Sequence, residues 1–311
     1  MQATRRRLLG AALTGSAVTG TAITASAVGV AKSRPETDEV RPDPARPRRI
    51  VSLGACLDAI LLAVADADQI KALSRYSRDP ETSTVVAEAA AFDVVGDSAE
   101  EVMHLQPDLI LASRRTGLHT RTALTRLGLE LSAFPSPETI EKSLEQIATI
   151  AGLVGHPERG EALIRRIEDA LDTGANAAGE GAPRPLTLIY QNDGLCPGAG
   201  TLMDELMTRM GLTNAAARYG VRNWGRASLE QVLADPPDLL LLGEKRHGAT
   251  SRLDDSIVTH PALRSLQGRM IVQAFPARLL YCAGPTLIAS SAIMAEARLR
   301  AISERVAKLS A

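Results

Sequence analysis

Apolar runs and helical periodicities alternate along most of this chain. Arg49-Ile-Val-Ser-Leu53, Asp108–Ala112, Glu130–Phe134, Leu186–Tyr190, Leu239–Leu242 and Met270–Phe275 are short apolar runs suited to strands buried on both faces. Between them the spacing predicts helices over Leu57–Asp66, Thr120–Leu127, Thr201–Met210 and from about Pro285 to Leu309. A longer helical stretch lies in the middle. Ile140, Leu144, Ile147, Ala148 and Ala151 share one face, Gly155-His156-Pro157 interrupts, and Leu163, Ile164, Ile167 and Leu171 resume the same spacing. A Gly/Ala/Pro-rich loop over 174–185 precedes the restart of the strand–helix alternation. Such alternation builds mostly parallel sheets with helices on both faces. The expected fold class is α/β: two lobes with mostly parallel sheets, joined by a long connecting helix that keeps their relative motion small.

One segment occurs twice. Residues 98–111 and 228–241 match at seven of fourteen positions without a gap, at an offset of 130 residues. Solenoid units are shorter, roughly 20–50 residues, so the repeat points to two lobes built alike. Each copy reads as a capping box, Ser98 with Glu101 and Ser228 with Gln231, then a short helix. Pro107 and Pro237 stop the helix, because the residue before proline is pushed out of the α region. An Asp-Leu-rich buried strand follows. Glu100 and Glu230 fall at equivalent places in the first turn. A carboxylate there is favoured by the helix dipole alone; a matched pair, one per lobe, is also something a partner can grip.

The N-terminus sets the compartment. Thr4-Arg-Arg-Arg-Leu-Leu-Gly10 and the weakly apolar stretch behind it, residues 1–31, resemble a twin-arginine export signal, with Ala25-Ser26-Ala27 as the best cleavage site. Residues 32–47, rich in Pro and charge, read as a disordered spacer. The first lobe is expected over 48–138, the connecting helical segment over 139–173, and the second lobe with its closing helix over 174–311. No later segment is apolar enough to span a membrane. The net charge of −1 gives no sign of nucleic-acid binding. Export favours disulfides, so Cys56, Cys196 and Cys282 allow one, with Cys196–Cys282 preferred because both lie in the second lobe.

Ligands of open parallel sheets bind outside the carboxyl ends of strands. In the first lobe that rule selects Gly54–Cys56, Arg75–Arg78 and Ser113–Gly117; in the second, Gln191–Gly194, Glu244–Gly248, Arg278–Tyr281 and the Asn223-Trp224-Gly225 segment. Aromatic residues make up 3% of the chain, yet its one Trp and two of its four Tyr fall in these loops. The candidate ligand-binding residues are Cys56, Arg75, Tyr76, Arg114, Arg115, Asn192, Trp224, Arg246, Arg278 and Tyr281. Tyr76, Trp224 and Tyr281 serve as apolar walls and the arginines as anion partners. The chain has no P-loop, dinucleotide fingerprint, metalloprotease helix or nucleophile elbow. Its five histidines form no close ligand pair, so no metal site and no catalytic residue is assigned. An exported α/β enzyme with Cys56 or Cys282 as nucleophile and His119 or His247 as base is an alternative that no motif supports.

Five passages together resemble one family. They are Arg49-Ile-Val-Ser-Leu-Gly54, Val95-Gly96 leading through Glu100 to Gln106-Pro-Asp-Leu-Ile-Leu111, Gly200-Thr-Leu-Met-Asp-Glu-Leu206 with Met210-Gly-Leu-Thr-Asn214, Ser228–Leu241, and His260-Pro-Ala-Leu-Arg-Ser-Leu-Gln-Gly268. They are similar to substrate-binding proteins of ABC importers for cobalamin, ferric siderophores and haem, over about residues 48–307. The resemblance implies two α/β lobes joined by one long helix, and a ligand between the lobes that is a corrinoid, a ferric siderophore or haem. It also implies docking of Glu100 and Glu230 on arginines of a permease dimer. A monomeric periplasmic carrier with no covalently bound cofactor is therefore expected. Tyr76 lies where some haem-binding relatives carry an iron-ligating Tyr. The chain departs from the family after its first strand, where Gly54-Ala-Cys-Leu-Asp58 replaces the usual Pro-Ser and Thr-Glu. A ligand sensor that signals to a membrane receptor is a further alternative.

Overall fold

The computed structural model describes residues 46–191, 194–243, 260–264, 266 and 268–310. The export signal, most of the spacer, Asn192, and the segment carrying Arg246 and His247 lie outside the described residues. In the first lobe the strands are β1 (Ile50–Ser52), β2 (Ile70–Ser74), β3 (Val94–Val95), β4 (Leu109–Ser113) and β5 (Leu131–Phe134). They form one parallel sheet in the order β3-β2-β1-β4-β5. The strand order reverses beside β1, which is where such sheets open a crevice at their carboxyl ends.

The second lobe contributes β6 (Leu186–Tyr190), β7 (Leu195–Pro197), β8 (Thr213–Asn214), β9 (Trp224–Arg226), β10 (Leu239–Leu242) and β11 (Ile271–Ala274). Its parallel sheet runs β11-β10-β6-β8, and β7 pairs with β9 as a separate antiparallel ribbon. The strands read from apolar runs are present to within a residue or so at their ends. Those the pattern missed, β2, β3, β7, β8 and β9, are short or carry polar residues inside them. Trp224, expected in a loop, is the first residue of β9.

Both repeat copies form what their sequence predicts, with one difference. Ser98 caps the helix Ala99–His104 and Ser228 caps Leu229–Ala234, each hydroxyl accepting an N–H three residues on. Only the second copy closes the reciprocal box, its Gln231 side chain accepting from Ser228 N–H at 2.8 Å. In the first copy Glu101 turns away and accepts from Gly96 N–H at 2.8 Å. Gly96 permits this, because a Cβ there would lie 2.5 Å from the Glu101 carboxylate.

The connector is not one helix. Ile140–Leu153 and Pro157–Asn176 fold back on each other through a turn at Gly155, whose φ of +81° suits glycine. Close approach depends on Gly160, where a Cβ would come within 2.5 Å of the Ala151 methyl. Any larger residue there pushes the pair apart. The turn is held on the first lobe by buried His156, whose Nε2 lies 2.9 Å from Asp66, itself paired with Arg159 at 2.6 Å. The second helix, about 30 Å long at 1.5 Å per residue, runs on to the second lobe, where Asp172 pairs with Arg209 at 2.8 Å.

One apolar core continues from lobe to lobe. It includes Ile50, Leu57, Ile60 and Leu111 of the first, Ile147, Ile150, Ile167 and Leu171 of the connector, and Ile189, Leu206, Leu241 and Leu287 of the second. Full burial of such side chains stabilises by about 1.5–3 kcal/mol each. Separating the lobes therefore breaks core packing rather than bending a linker.

Candidate functional site

The carboxyl ends of the first sheet supply most of a cavity of about 430 Å³. After β1 the chain turns at Gly54 into the helix Ala55–Val64, placing Cys56 in its first turn. After β2 a single tight turn, Arg75–Arg78, presents Tyr76. Ser113 ends β4 and is followed by Arg115, Thr116 and Gly117, and Phe134 ends β5 and is followed by Pro135–Pro137. The second lobe closes the cavity with Tyr281, Cys282 and Ala283, at the end of the short helix Arg278–Tyr281.

Hydrogen bonds fix these loops to the scaffold. Thr116 Oγ1 donates to Leu53 O at 3.3 Å and Thr120 Oγ1 to Asp97 O at 2.8 Å. The Tyr76 hydroxyl donates to Asp97 Oδ2 at 3.1 Å and accepts from Arg75 Nη2 at 2.9 Å. Arg75 also pairs with Asp97 at 3.0 Å and lies over the Tyr76 ring, 4.9 Å from its centroid. Opposite, Tyr281 stacks on Trp224 with ring centroids 6.4 Å apart and planes 22° from parallel. Tyr76, Tyr281 and Trp224 retain 37%, 43% and 45% exposure, unusual for large aromatic groups and suited to covering by a ligand.

Behind the Tyr76 turn lies a buried carboxyl group. Asp58 is fully enclosed, with Ser74 donating to it through its N–H at 3.2 Å and through its hydroxyl. Burial pushes the Asp58 pKa up to about 7, against the opposing pull of the hydrogen bonds from Ser74. Asp58 thus joins the helix that carries Cys56 to the end of the strand that leads into the Tyr76 turn.

Cys56 and Cys282 are joined by a disulfide, with Cα atoms 5.2 Å apart, and Cys196 is buried and takes part in no disulfide. This corrects the expected Cys196–Cys282 pair. Cys196 sits inside β7, whereas Cys282 lies on the cavity floor facing the first lobe. The bond also leaves neither Cys56 nor Cys282 as a nucleophile.

Of the ten residues selected from the sequence, Cys56, Tyr76, Arg115 and Tyr281 line the cavity. Arg75 and Trp224 back its aromatic walls. Arg114 lies in a neighbouring groove with Lys142 and Glu138, and half-buried Arg278 is not among the lining residues. Asn192 and Arg246 are outside the described residues. His119 is exposed and does not line the cavity. Asp97, Thr82 and Gln146 line it without having been singled out. Reading Val94–Val95 as a strand points to Asp97, which follows it by two residues.

Residues 50–267, well over half of the chain, match the periplasmic binding protein family. The chain belongs to that family. A vitamin B12-binding protein of Yersinia pestis is 26% identical over 210 residues, covering 67% of this chain and 72% of that one. A cobalamin-binding protein of Halobacterium salinarum is 23% identical over 201 residues, but this match spans only 54% of its length. Two solved structures share the fold of this periplasmic binding protein. They are a periplasmic haem-binding protein of Roseiflexus sp. RS-1 (TM-score 0.62, 22% identity, 81% of this chain and 99% of that one) and the periplasmic vitamin B12-binding protein of Vibrio cholerae (TM-score 0.62, 20% identity, 82% and 98%). The arrangement of two parallel-sheet lobes around a cleft is thus that of the class III binding proteins expected from the sequence.

Proposed function

We propose that this protein captures a corrinoid in the cleft between its lobes and delivers it to an ABC importer. The charge of the cavity wall carries this choice. Among the described lining residues, Asp97 and Arg115 are the only charged ones, and Arg75 beside them is already paired with Asp97. That leaves Arg115 as the one unmatched charge in an otherwise uncharged, aromatic wall of described residues, which suits a large chelate edged with amides. It suits less well the paired carboxylates of haem or an anionic ferric siderophore, which call for more than one unpaired cation. The curated relatives that bind cobalamin or vitamin B12 support the same reading.

Haem is the second reading, and Tyr76 is its basis. Its hydroxyl borders the cavity beside the Arg75 guanidinium, a partner for a phenolate. Against it, Asp97 accepts the Tyr76 proton and would face that phenolate as a like charge.

Glu100 and Glu230 serve as the two docking handles for a permease dimer. Both are exposed in the first turn of equivalent helices. The Glu230 carboxyl is held below its ordinary range by its own backbone N–H and by Ser228, so it stays ionised. The carrier works as a monomer in the periplasm, reached through the twin-arginine signal with cleavage near Ala27. No described helix is long and apolar enough to cross a membrane.

Titration of the purified protein with cyanocobalamin, haemin and a ferric siderophore, followed by visible absorption and calorimetry, tests the ligand. Micromolar or tighter binding of cyanocobalamin is expected. A Soret shift with haemin and no response to cyanocobalamin would move the assignment to haem, and silence with all three sinks both readings.

A further inference from the structure

The disulfide ties one lobe to the other at the floor of the ligand cavity. Cys56 belongs to the helix that follows β1, and Cys282 follows directly on Tyr281, one of the aromatic walls. Both cysteines line the cavity. Two further contacts hold the Cys282 segment at the same place. Gly284 N–H donates to Ser143 Oγ at 2.8 Å, and a Cβ on Gly284 would meet Ile60 at 3.0 Å. The segment has no strand pairing of its own, so the covalent bond is its strongest attachment to the first lobe. The position of Tyr281, and of Trp224 stacked on it, is thereby coupled to the state of one S–S bond.

We propose that Cys56–Cys282 is a redox-responsive clasp for the ligand site. Oxidised, it holds Tyr281 at the spacing from Tyr76 that grips the ligand. A dithiol reductant opens it by thiolate attack on one sulfur. The donor's second thiol then closes the donor's own disulfide, and two protons and two electrons pass to Cys56 and Cys282. Leu279 and Leu280 stay in the core, but the exposed end of the segment at Tyr281 loses its covalent tether and the grip weakens. The cysteines act here as positioning residues for the aromatic walls, and the part concerning ligand grip rests on the corrinoid reading above.

The chain has one Trp, Trp224, so its fluorescence reports on this wall without any ligand. The test compares oxidised protein, protein reduced with dithiothreitol, reoxidised protein, and Cys56→Ser/Cys282→Ser. Trp224 emission, hydrogen exchange over 278–284 and cyanocobalamin affinity are measured on each. Opening the clasp is expected to change the emission, speed the exchange and weaken cyanocobalamin about tenfold, within the range usual for coupled equilibria, with reoxidation restoring all three. Reduction gives the result without a variant should the double variant fail to fold. Unchanged emission and exchange overturn the clasp, as does equal affinity in both states. If emission and exchange respond but cyanocobalamin binds neither form, the corrinoid reading fails and the coupling of the wall to the disulfide stands.

Discussion

Asp108 and Asp238 occupy the same place in the two lobes and do the same work. Asp108 accepts the N–H groups of Arg48 and Arg49 at 2.7 and 2.8 Å, at the start of β1. Asp238 accepts the N–H of Leu186 at 2.8 Å, at the start of β6. Each carboxylate stands at the head of its own repeat strand and sets the register of the strand beside it. Hydrogen bonds to a charged acceptor contribute about 1.5–3 kcal/mol net. Asp238→Ala should therefore cost about 1.5–3 kcal/mol in urea unfolding, and Asp108→Ala more, since two bonds are lost. Equal and negligible effects would show that these contacts carry nothing.

The buried Asp58 predicts a pH dependence with a definite sign. Its pKa is about 7 in the folded protein against 3.8 for the free group. Below the lower value the group is protonated in both states and contributes no penalty. Between the two, the folded chain keeps a proton the unfolded chain has released, so stability falls as pH rises. Above about 7 the full penalty is in place, on the order of 4 kcal/mol at ~1.4 kcal/mol per pH unit. Asp58→Asn should flatten this slope between about pH 4.5 and 7.5 in urea midpoints. Parallel slopes for variant and parent would assign the pH dependence elsewhere.

The aromatic walls separate the two ligand readings. Trp224→Ala removes the stack behind Tyr281 and should weaken cyanocobalamin about tenfold by calorimetry. Tyr76→Phe keeps the ring and deletes the hydroxyl held by Asp97 and Arg75. Corrinoid affinity should change less than about threefold, since only a peripheral hydrogen bond is lost. A loss of haem binding in the same variant would instead mark Tyr76 as a metal ligand.

Reversing both proposed docking charges, Glu100→Arg with Glu230→Arg, should abolish uptake by cells while the purified protein keeps its ligand affinity. Uptake at the parent rate would remove these residues from docking. Weakened affinity would show that their helices shape the cleft.

Much of this site was legible before the structure. The repeat placed Glu100 and Glu230 on equivalent helix starts because capping and proline rules act locally. Strand-end loops led to Cys56, Tyr76, Arg115 and Tyr281 because a parallel sheet delivers its carboxyl ends to one edge. What depended on lobe docking was not legible. Cys56 and Cys282 are 226 residues apart in sequence and meet only across the cleft. Arg114 and Arg115 are neighbours that reach different hollows, and residue type could not choose between them. Asp58 looks like one polar residue in an apolar helix; its burial follows from Ser74 arriving on β2, a strand the apolar pattern did not mark.

The core that runs unbroken from Ile50 through Ile167 to Leu287 also bears on how such a carrier lets go. A hinge of flexible strands opens by thermal motion and releases cargo unaided. Here opening exposes packed aliphatic surface, so the two halves resist parting, and on the carrier reading proposed above a bound chelate would dwell long. On that same reading, unloading takes mechanical work from outside, applied where a partner pulls on each half separately.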